Sequence, residues 1–183
     1  MRKLERVKAF FLYVVFLCYI LLLIKILFLS RVSFAELFDR HRTAVRSVNL
    51  IPFCSISEFL SGSSRNLKDF AFANVVGNIL IFFPLGVYSS VLSNHTRVRS
   101  HLLRIIAASV VVEIIQGLLA IGTADIDDVI LNSLGGWIGI AVYKLLLLLL
   151  RNKKNVHTAV VLLSVIVGLP VIFYYLFMIK MRF

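Results

Sequence analysis

Glu113, Gln116, Asp125, Asp127, Asp128 and Asn132 lie within twenty residues of one another, in a stretch that is otherwise almost wholly apolar. Carboxylates in such a setting have a short list of uses: general acid or base, oxygen ligand to a hard cation, or partner to a positively charged ligand group. Carboxamides both donate and accept, so they hold a polar ligand or tie helices together. An ionisable group at bilayer depth costs roughly 2.5–3.5 kcal/mol on insertion scales, which makes each one a functional-site hypothesis. Upstream, Asn49, Asn74 and Asn78 complete the set of candidate ligand-binding residues. No residue is assigned a catalytic role.

For each of these residues a structural reading stands beside the functional one. Glu113 is either a buried carboxylate bonded to Asn78 or Asn132, or a ligand contact or acid/base. Gln116, Asn74, Asn78 and Asn132 are either interhelical hydrogen-bonding residues or part of a site. Asp125, Asp127 and Asp128 admit three readings: a solvated acidic link with an aspartate helix cap, a Ca²⁺ or Mg²⁺ site built with Glu113, or a contact to a cationic ligand group. The metal question stays open, and no cofactor is implied. The four histidines (His41, His95, His101, His157) are expected in loops, three of them cytoplasmic, which disfavours a Ser-His-Asp hydrolase.

The elements that must position these groups are transmembrane helices. The 183 residues are 60% hydrophobic, against about 45–50% in ordinary soluble domains. The mean hydropathy is +0.96. The formal charge of +11 sits in short segments between apolar runs, where it sets orientation and lipid contact rather than nucleic-acid binding. Neither cysteine is placed for an internal disulfide or a zinc site: Cys18 lies in the first apolar run and Cys54 in a loop.

Residues 1–29 read as a basic segment and a first span, too long for a signal-peptide core of about 7–15 residues and expected to stay uncleaved. Lys25, near the end of that span, is expected to snorkel to the interface. Residues 30–69 form an outer loop. Ser33 and Glu36 have capping-box spacing, and Phe34, Leu37, Phe38 and Val45 share a face, so an amphipathic interfacial helix is expected there. Pro52 then stops helical structure and pushes Ile51 to an extended conformation.

Residues 70–150 hold three spans. In the first, Asn74, Gly77 and Asn78 share a face. Gly77 should allow close helix approach, and Pro84 with Gly86 should kink the helix. Ser109, Glu113, Gln116 and Ala120 recur at i, i+4, i+7, i+11 in the next span. Asp128, Asn132, Gly135 and Gly139 repeat that spacing in the one after. Residues 151–183 give a basic loop and a fifth span interrupted by Gly168 and Pro170, with Tyr174 and Tyr175 as interfacial anchors. The expected fold is therefore an all-α membrane protein of five transmembrane helices, with an interfacial helix in the first outer loop.

Orientation follows from the Lys/Arg distribution. Four precede the first span (Arg2, Lys3, Arg6, Lys8), three surround the second short connection (Arg97, Arg99, Arg104) and three follow the fourth span (Arg151, Lys153, Lys154). The opposite side has none in the acidic link and two at the C-terminus, although the long loop carries six. The N-terminus is thus expected in the cytoplasm and the C-terminus outside. In that topology Asn74, Asn78, Glu113, Gln116 and Asn132 converge at one depth, beneath the acidic link and the Asn49–Phe53 loop. They describe a polar pocket open to the outer leaflet.

Four motifs in order resemble the VanZ-like family, membrane proteins named after a teicoplanin resistance protein. They are Asn49-Leu-Ile-Pro52-Phe53; Asn74-x-x-Gly77-Asn78 followed by Phe82-x-Pro84-x-Gly86; Glu113-x-x-Gln116; and Gly122-Thr-x-Asp125-Ile-Asp127-Asp128-x-x-x-Asn132-x-x-Gly135-Gly136-x-x-Gly139. The resemblance covers roughly Arg46 to Tyr143, with residues 70–150 as the VanZ-like core. It implies a multi-pass protein of the bacterial cell envelope, of a kind associated with low-level teicoplanin resistance that needs no altered peptidoglycan precursor. Three functions are open: an envelope protein engaging a lipid-linked wall precursor or lipoglycopeptide antibiotic, a membrane enzyme acting on a lipid-linked or isoprenoid head group, or an assembly subunit whose polar residues only lock helices. Membrane lipids are partners under all three.

Overall fold

A computed structural model of the chain describes residues 2–29, 46–61, 64–93 and 97–178. The expected interfacial helix around Ser33–Val45, with His41, falls outside the described residues, as does His95. Among the described residues, five helical segments are long and apolar enough to cross a membrane, as composition predicts: Glu5–Leu29, Arg65–Val91, Val98–Leu119, Ile126–Leu150 and Lys153–Tyr175. Cys18 and Cys54 are free thiols.

The chain divides into two compact units. One takes the two ends of the sequence, residues 1–42 and 144–183. Here α1 (Arg2–Ile24) packs along α6 (Lys153–Leu163) and α7 (Leu169–Met178). Its buried residues Leu12, Val15, Tyr19 and Leu22 fall at alternating steps of three and four, a single helical stripe. Lys8 Nζ donates to Thr158 Oγ1 at 2.9 Å and fastens the basic end of α1 to α6. Two π-helical turns interrupt these helices, at Lys25–Leu29 and at Ser164–Gly168. The first corrects the expectation for Lys25: it is buried, where it was expected to reach the interface.

The other unit, residues 43–143, holds every candidate site residue. Its frame is α3 (Arg65–Val91), α4 (Val98–Leu119) and the start of α5 (Ile126–Leu150). The contacts run in step along α3 and α5, Ile79 to Gly135 and then Phe83 to Gly139, so these two helices are parallel. The pairs Ser109–Asn132 and Ile105–Gly136 run in opposite order, so α4 is antiparallel to α5.

The three helices are inside-out relative to a soluble bundle. Buried positions on α4 are His101, Ile105, Ser109, Val112, Glu113 and Gln116. On α5 they include Asn132, Gly135, Gly136 and Gly139, whereas Leu103, Val111, Ile114, Leu118 and Leu134 face outward. With lipid as solvent, apolar side chains gain nothing by being inside, and small or polar residues make the helix contacts.

A Cβ on Gly86 would stand 2.0 Å from Gly136 O, one on Gly135 2.2 Å from Ile79 O, and one on Gly139 2.1 Å from Phe83 O. The backbones of α3 and α5 therefore touch. Gly77, expected to serve this purpose, does not: a Cβ there meets nothing within 4 Å. α3 is continuous through Pro84.

Two further elements cap the end where α4 stops and α5 starts. β1 (Ser47–Asn49) pairs in parallel with β2 (Thr123–Asp125), in register Ser47–Thr123, Val48–Ala124 and Asn49–Asp125. α2 (Cys54–Ser61) packs on α3, so Cys54 opens a helix where a loop was expected. α4 ends at Ala120, whose left-handed φ of 48° lets its N–H and that of Ile121 close on Gln116 O.

Candidate functional site

The polar residues sort into three hydrogen-bonded groups along the facing ends of α3, α4 and α5. The first is built on Asp125. The β1–β2 register sets Asn49 opposite it, and Asn49 Nδ2 donates to Asp125 Oδ2 at 3.1 Å. Asp125 Oδ1 accepts from the N–H of Asp127 at 2.9 Å, the bond of an aspartate N-cap on α5. The Asp125 N–H donates to Glu113 Oε2 at 2.9 Å. Glu113 thus reaches across from α4 to the backbone of the acidic link. The expected partners Asn78 and Asn132 spend their hydrogen bonds elsewhere.

Asp127 is fully buried and extends this group into the Asn49–Phe53 loop. Its Oδ1 accepts the N–H of Phe53. The loop is tightened from its other side by Asn49 Oδ1, which accepts the Ile51 N–H at 3.2 Å, an Asx-turn. Phe53 has φ of 67°, a left-handed conformation rare for a bulky side chain. Such strain, of order 1–3 kcal/mol, persists only where surrounding bonds hold it. Here those bonds are the Asp127 carboxylate on its N–H and Ser57 N–H on its carbonyl, at 2.9 Å.

The second group joins α3 to the first turn of α5. Asn78 Nδ2 donates to Asp128 Oδ1 at 2.6 Å and to Asn74 Oδ1 at 3.3 Å, and Asn74 Nδ2 donates to the same Asp128 oxygen at 3.2 Å. Three bonds within one triad fix the orientation of both amides. Asp127 and Asp128 also gain from the positive end of the α5 dipole.

The third group lies one turn further along. Asn132 Nδ2 donates to Ser109 Oγ at 2.9 Å between α5 and α4. Both residues are buried, and Asn132 Oδ1 has no hydrogen-bond partner among the described residues. Gln116 is buried on the same face of α4. Eight of the nine candidate residues are thus collected at one end of this unit in three adjoining groups, and the ninth, Gln116, lies buried on the same face of α4 as Glu113.

Among the described residues no three His, Cys, Asp or Glu side chains stand close enough to hold a metal ion. Both oxygens of Asp125 and Oδ1 of Asp127 and of Asp128 are engaged with amides and backbone N–H groups.

His101 and His157 lie in helices, where loops were expected. His101 is buried, and its Nδ1 stands 2.9 Å from Ser89 Oγ and 3.4 Å from an Arg104 guanidinium nitrogen. Ser89 is eleven residues along α3 from Asn78, about 16 Å at the helical rise of about 1.5 Å. This contact therefore closes the opposite end of the unit and takes no part in the acid–amide groups. Nothing in the spacing of Ser89 and His101 signals it, because the turn between α3 and α4 brings them together.

Comparison with known proteins accounts for the same segment. The profile of the VanZ/LLP1 family matches residues 15–150. The chain is 32% identical over 119 residues to Protein VanZ of Enterococcus faecium, a match covering 65% of this chain and 64% of that protein. The chain therefore matches just under two thirds of the length of that curated relative. No solved structure matches. With three quarters of its length inside the family profile and its polar groups on the segment matched, the chain belongs to the VanZ-like family of VanZ/LLP1 membrane proteins.

Proposed function

We propose that this protein acts at the outer leaflet of the bacterial cell membrane, where its acid–amide cluster engages a lipid-linked wall precursor or a lipoglycopeptide and so lowers the susceptibility of the cell to teicoplanin-type antibiotics. One observation carries the reading: two amides of α3 converge on Asp128 at the start of α5, beside the buried carboxylates of Glu113 and Asp127. Ionisable groups at this density are costly in a membrane chain and are expected where something polar is bound. The Lys/Arg distribution supports placing this end outside. The tie to teicoplanin rests on membership of the VanZ-like family. The interaction is read as binding rather than turnover, because the carboxylates accept bonds from amides and backbone N–H groups that hold the helices and the loop together.

The experiment compares teicoplanin and vancomycin susceptibility of a sensitive Gram-positive host carrying wild type, Glu113→Gln or Asp128→Asn at matched membrane levels. A teicoplanin-selective rise in the inhibitory concentration for wild type, lost in both variants, is the expected result. No shift with the wild-type protein removes resistance from its functions. A shift that both well-expressed variants retain moves that function away from the cluster.

A further inference from the structure

One turn inward from the carboxylates, the facing sides of α4 and α5 carry a polar pair with hydrogen-bonding capacity left over. Ser109 lies four residues before Glu113 on α4, and Asn132 four residues after Asp128 on α5. Each is therefore about 6 Å deeper than its carboxylate, at a rise of about 1.5 Å per residue. Ser109 has no exposed surface and Asn132 only 1%.

An asparagine side chain offers two N–H donors and an acceptor oxygen, and a serine hydroxyl one donor and two acceptor sites. One bond joins them, from Asn132 Nδ2 to Ser109 Oγ at 2.9 Å. Asn132 Oδ1 accepts from no described residue. The Ser109 O–H, in turn, finds no acceptor among the described residues. Ser133, one residue beyond Asn132, shows the common alternative for a helical serine by donating to Val129 O at 2.6 Å. Ile105 and Val112 on α4, with Leu131 and Gly135 on α5, flank the pair and bring no polar side-chain group. Folded proteins leave few buried polar atoms unpaired, and lipid outside a membrane helix offers no replacement partner.

We propose that Ser109 and Asn132 hold a water molecule between α4 and α5, which donates to Asn132 Oδ1 and accepts from the Ser109 hydroxyl. Water meets both needs at once, whereas a cation would serve only the oxygen and an anion only the hydroxyl. The occupant is small, because neither residue has surface through which a larger ligand could reach it. With it the polar interior of this unit runs a full turn deeper than its carboxylates. The inference does not depend on the proposed antibiotic role.

The full chain, isotope-labelled in its asparagine side-chain nitrogens, is placed in phosphatidylcholine bilayers for proton-detected solid-state NMR. Magnetisation transfer from water to the side-chain N–H groups is followed at short mixing times, at the mildly acidic pH where their chemical exchange is slow. Asn132 is identified as the resonance displaced in Ser109→Ala, or as the one missing from Asn132→Gln should the first variant not fold. Strong transfer from water to the Asn132 amide, weakened in Ser109→Ala, is expected. No transfer to Asn132, while the exposed Asn152 and Asn155 receive it, overturns the inference.

Discussion

Asn78 Nδ2 donates to Asp128 Oδ1 over 2.6 Å, and this bond ties the middle of α3 to the first turn of α5 fifty residues later. Asn74 donates to the same oxygen, so the Asp128 carboxylate is the joint between two parallel spans. Bonds of this kind in membrane proteins average about 0.6 kcal/mol in double-mutant cycles and reach about 1.7. A cycle on Asn78→Ala and Asp128→Ala, read by unfolding in mixed micelles, is therefore expected to give a coupling of about 0.6–1.7 kcal/mol. Each single change leaves a polar partner short of a bond, at about 1–3 kcal/mol. A coupling indistinguishable from zero would mean that the bond does not form in the folded protein.

The glycines make a sharper contrast, because four of similar appearance in sequence differ in what surrounds them. Gly139→Ala drives a methyl into the Phe83 carbonyl at 2.1 Å, so α3 and α5 must separate. Overpacking of this kind costs about 1–3 kcal/mol or more. Gly77→Ala adds a methyl to open space in a helix, where alanine is favoured by up to about 1 kcal/mol. Thermal denaturation should show Gly139→Ala melting well below wild type and Gly77→Ala at or above it. Equal melting temperatures for the two would remove the close approach of α3 and α5.

That contrast also marks what a sequence can disclose. The five spans are legible because length and apolar composition are local properties. The buried faces of α4 and α5 are legible because Ser109, Glu113 and Gln116, like Asp128, Asn132 and Gly135, repeat at helical spacing. Polar periodicity marks the inside when lipid is the solvent. Gly77 against Gly86 is not legible, since both are small residues on α3 and only the position of α5 separates them. The β1–β2 pairing is equally hidden. Three residues have no detectable period, and their register is set by the Asn49–Asp125 bond across seventy-six positions. Burial of Lys25 and His101 is likewise decided by tertiary neighbours, and in sequence alone each looks like an ordinary peripheral residue.

Ala120 supplies a local test. Its φ of 48° places an L-residue in the left-handed region that glycine adopts freely, and its N–H still closes on the last turn of α4. The left-handed conformation costs a residue with Cβ roughly 1–2 kcal/mol. Ala120→Gly should stabilise the protein, by about 0.5–1 kcal/mol once the greater freedom of the unfolded glycine is subtracted. Equilibrium unfolding checks the sign. A destabilised Ala120→Gly would mean that the methyl, which is buried, contributes more than the strain costs.

Asp127 is the residue on which the loop depends most directly. It has no exposed surface, and its carboxylate holds the N–H of Phe53 in a conformation that phenylalanine avoids. In Asp127→Ala the acceptor is gone and the strain of about 1–3 kcal/mol is unopposed, so the loop should leave its left-handed conformation. In Asp127→Asn a carbonyl oxygen remains and can still accept, though without the added strength of a charged acceptor. Hydrogen exchange of the Phe53 amide separates the cases. Protection should be high in wild type, reduced in Asp127→Asn and largely absent in Asp127→Ala. Exchange at the Glu113-bonded Asp125 amide should change less, because that bond lies on β2 and does not pass through the Asp127 side chain. If both amides lose protection together in Asp127→Ala, the loop and the acidic link open as one unit, and Asp127 holds the whole cap rather than the loop alone.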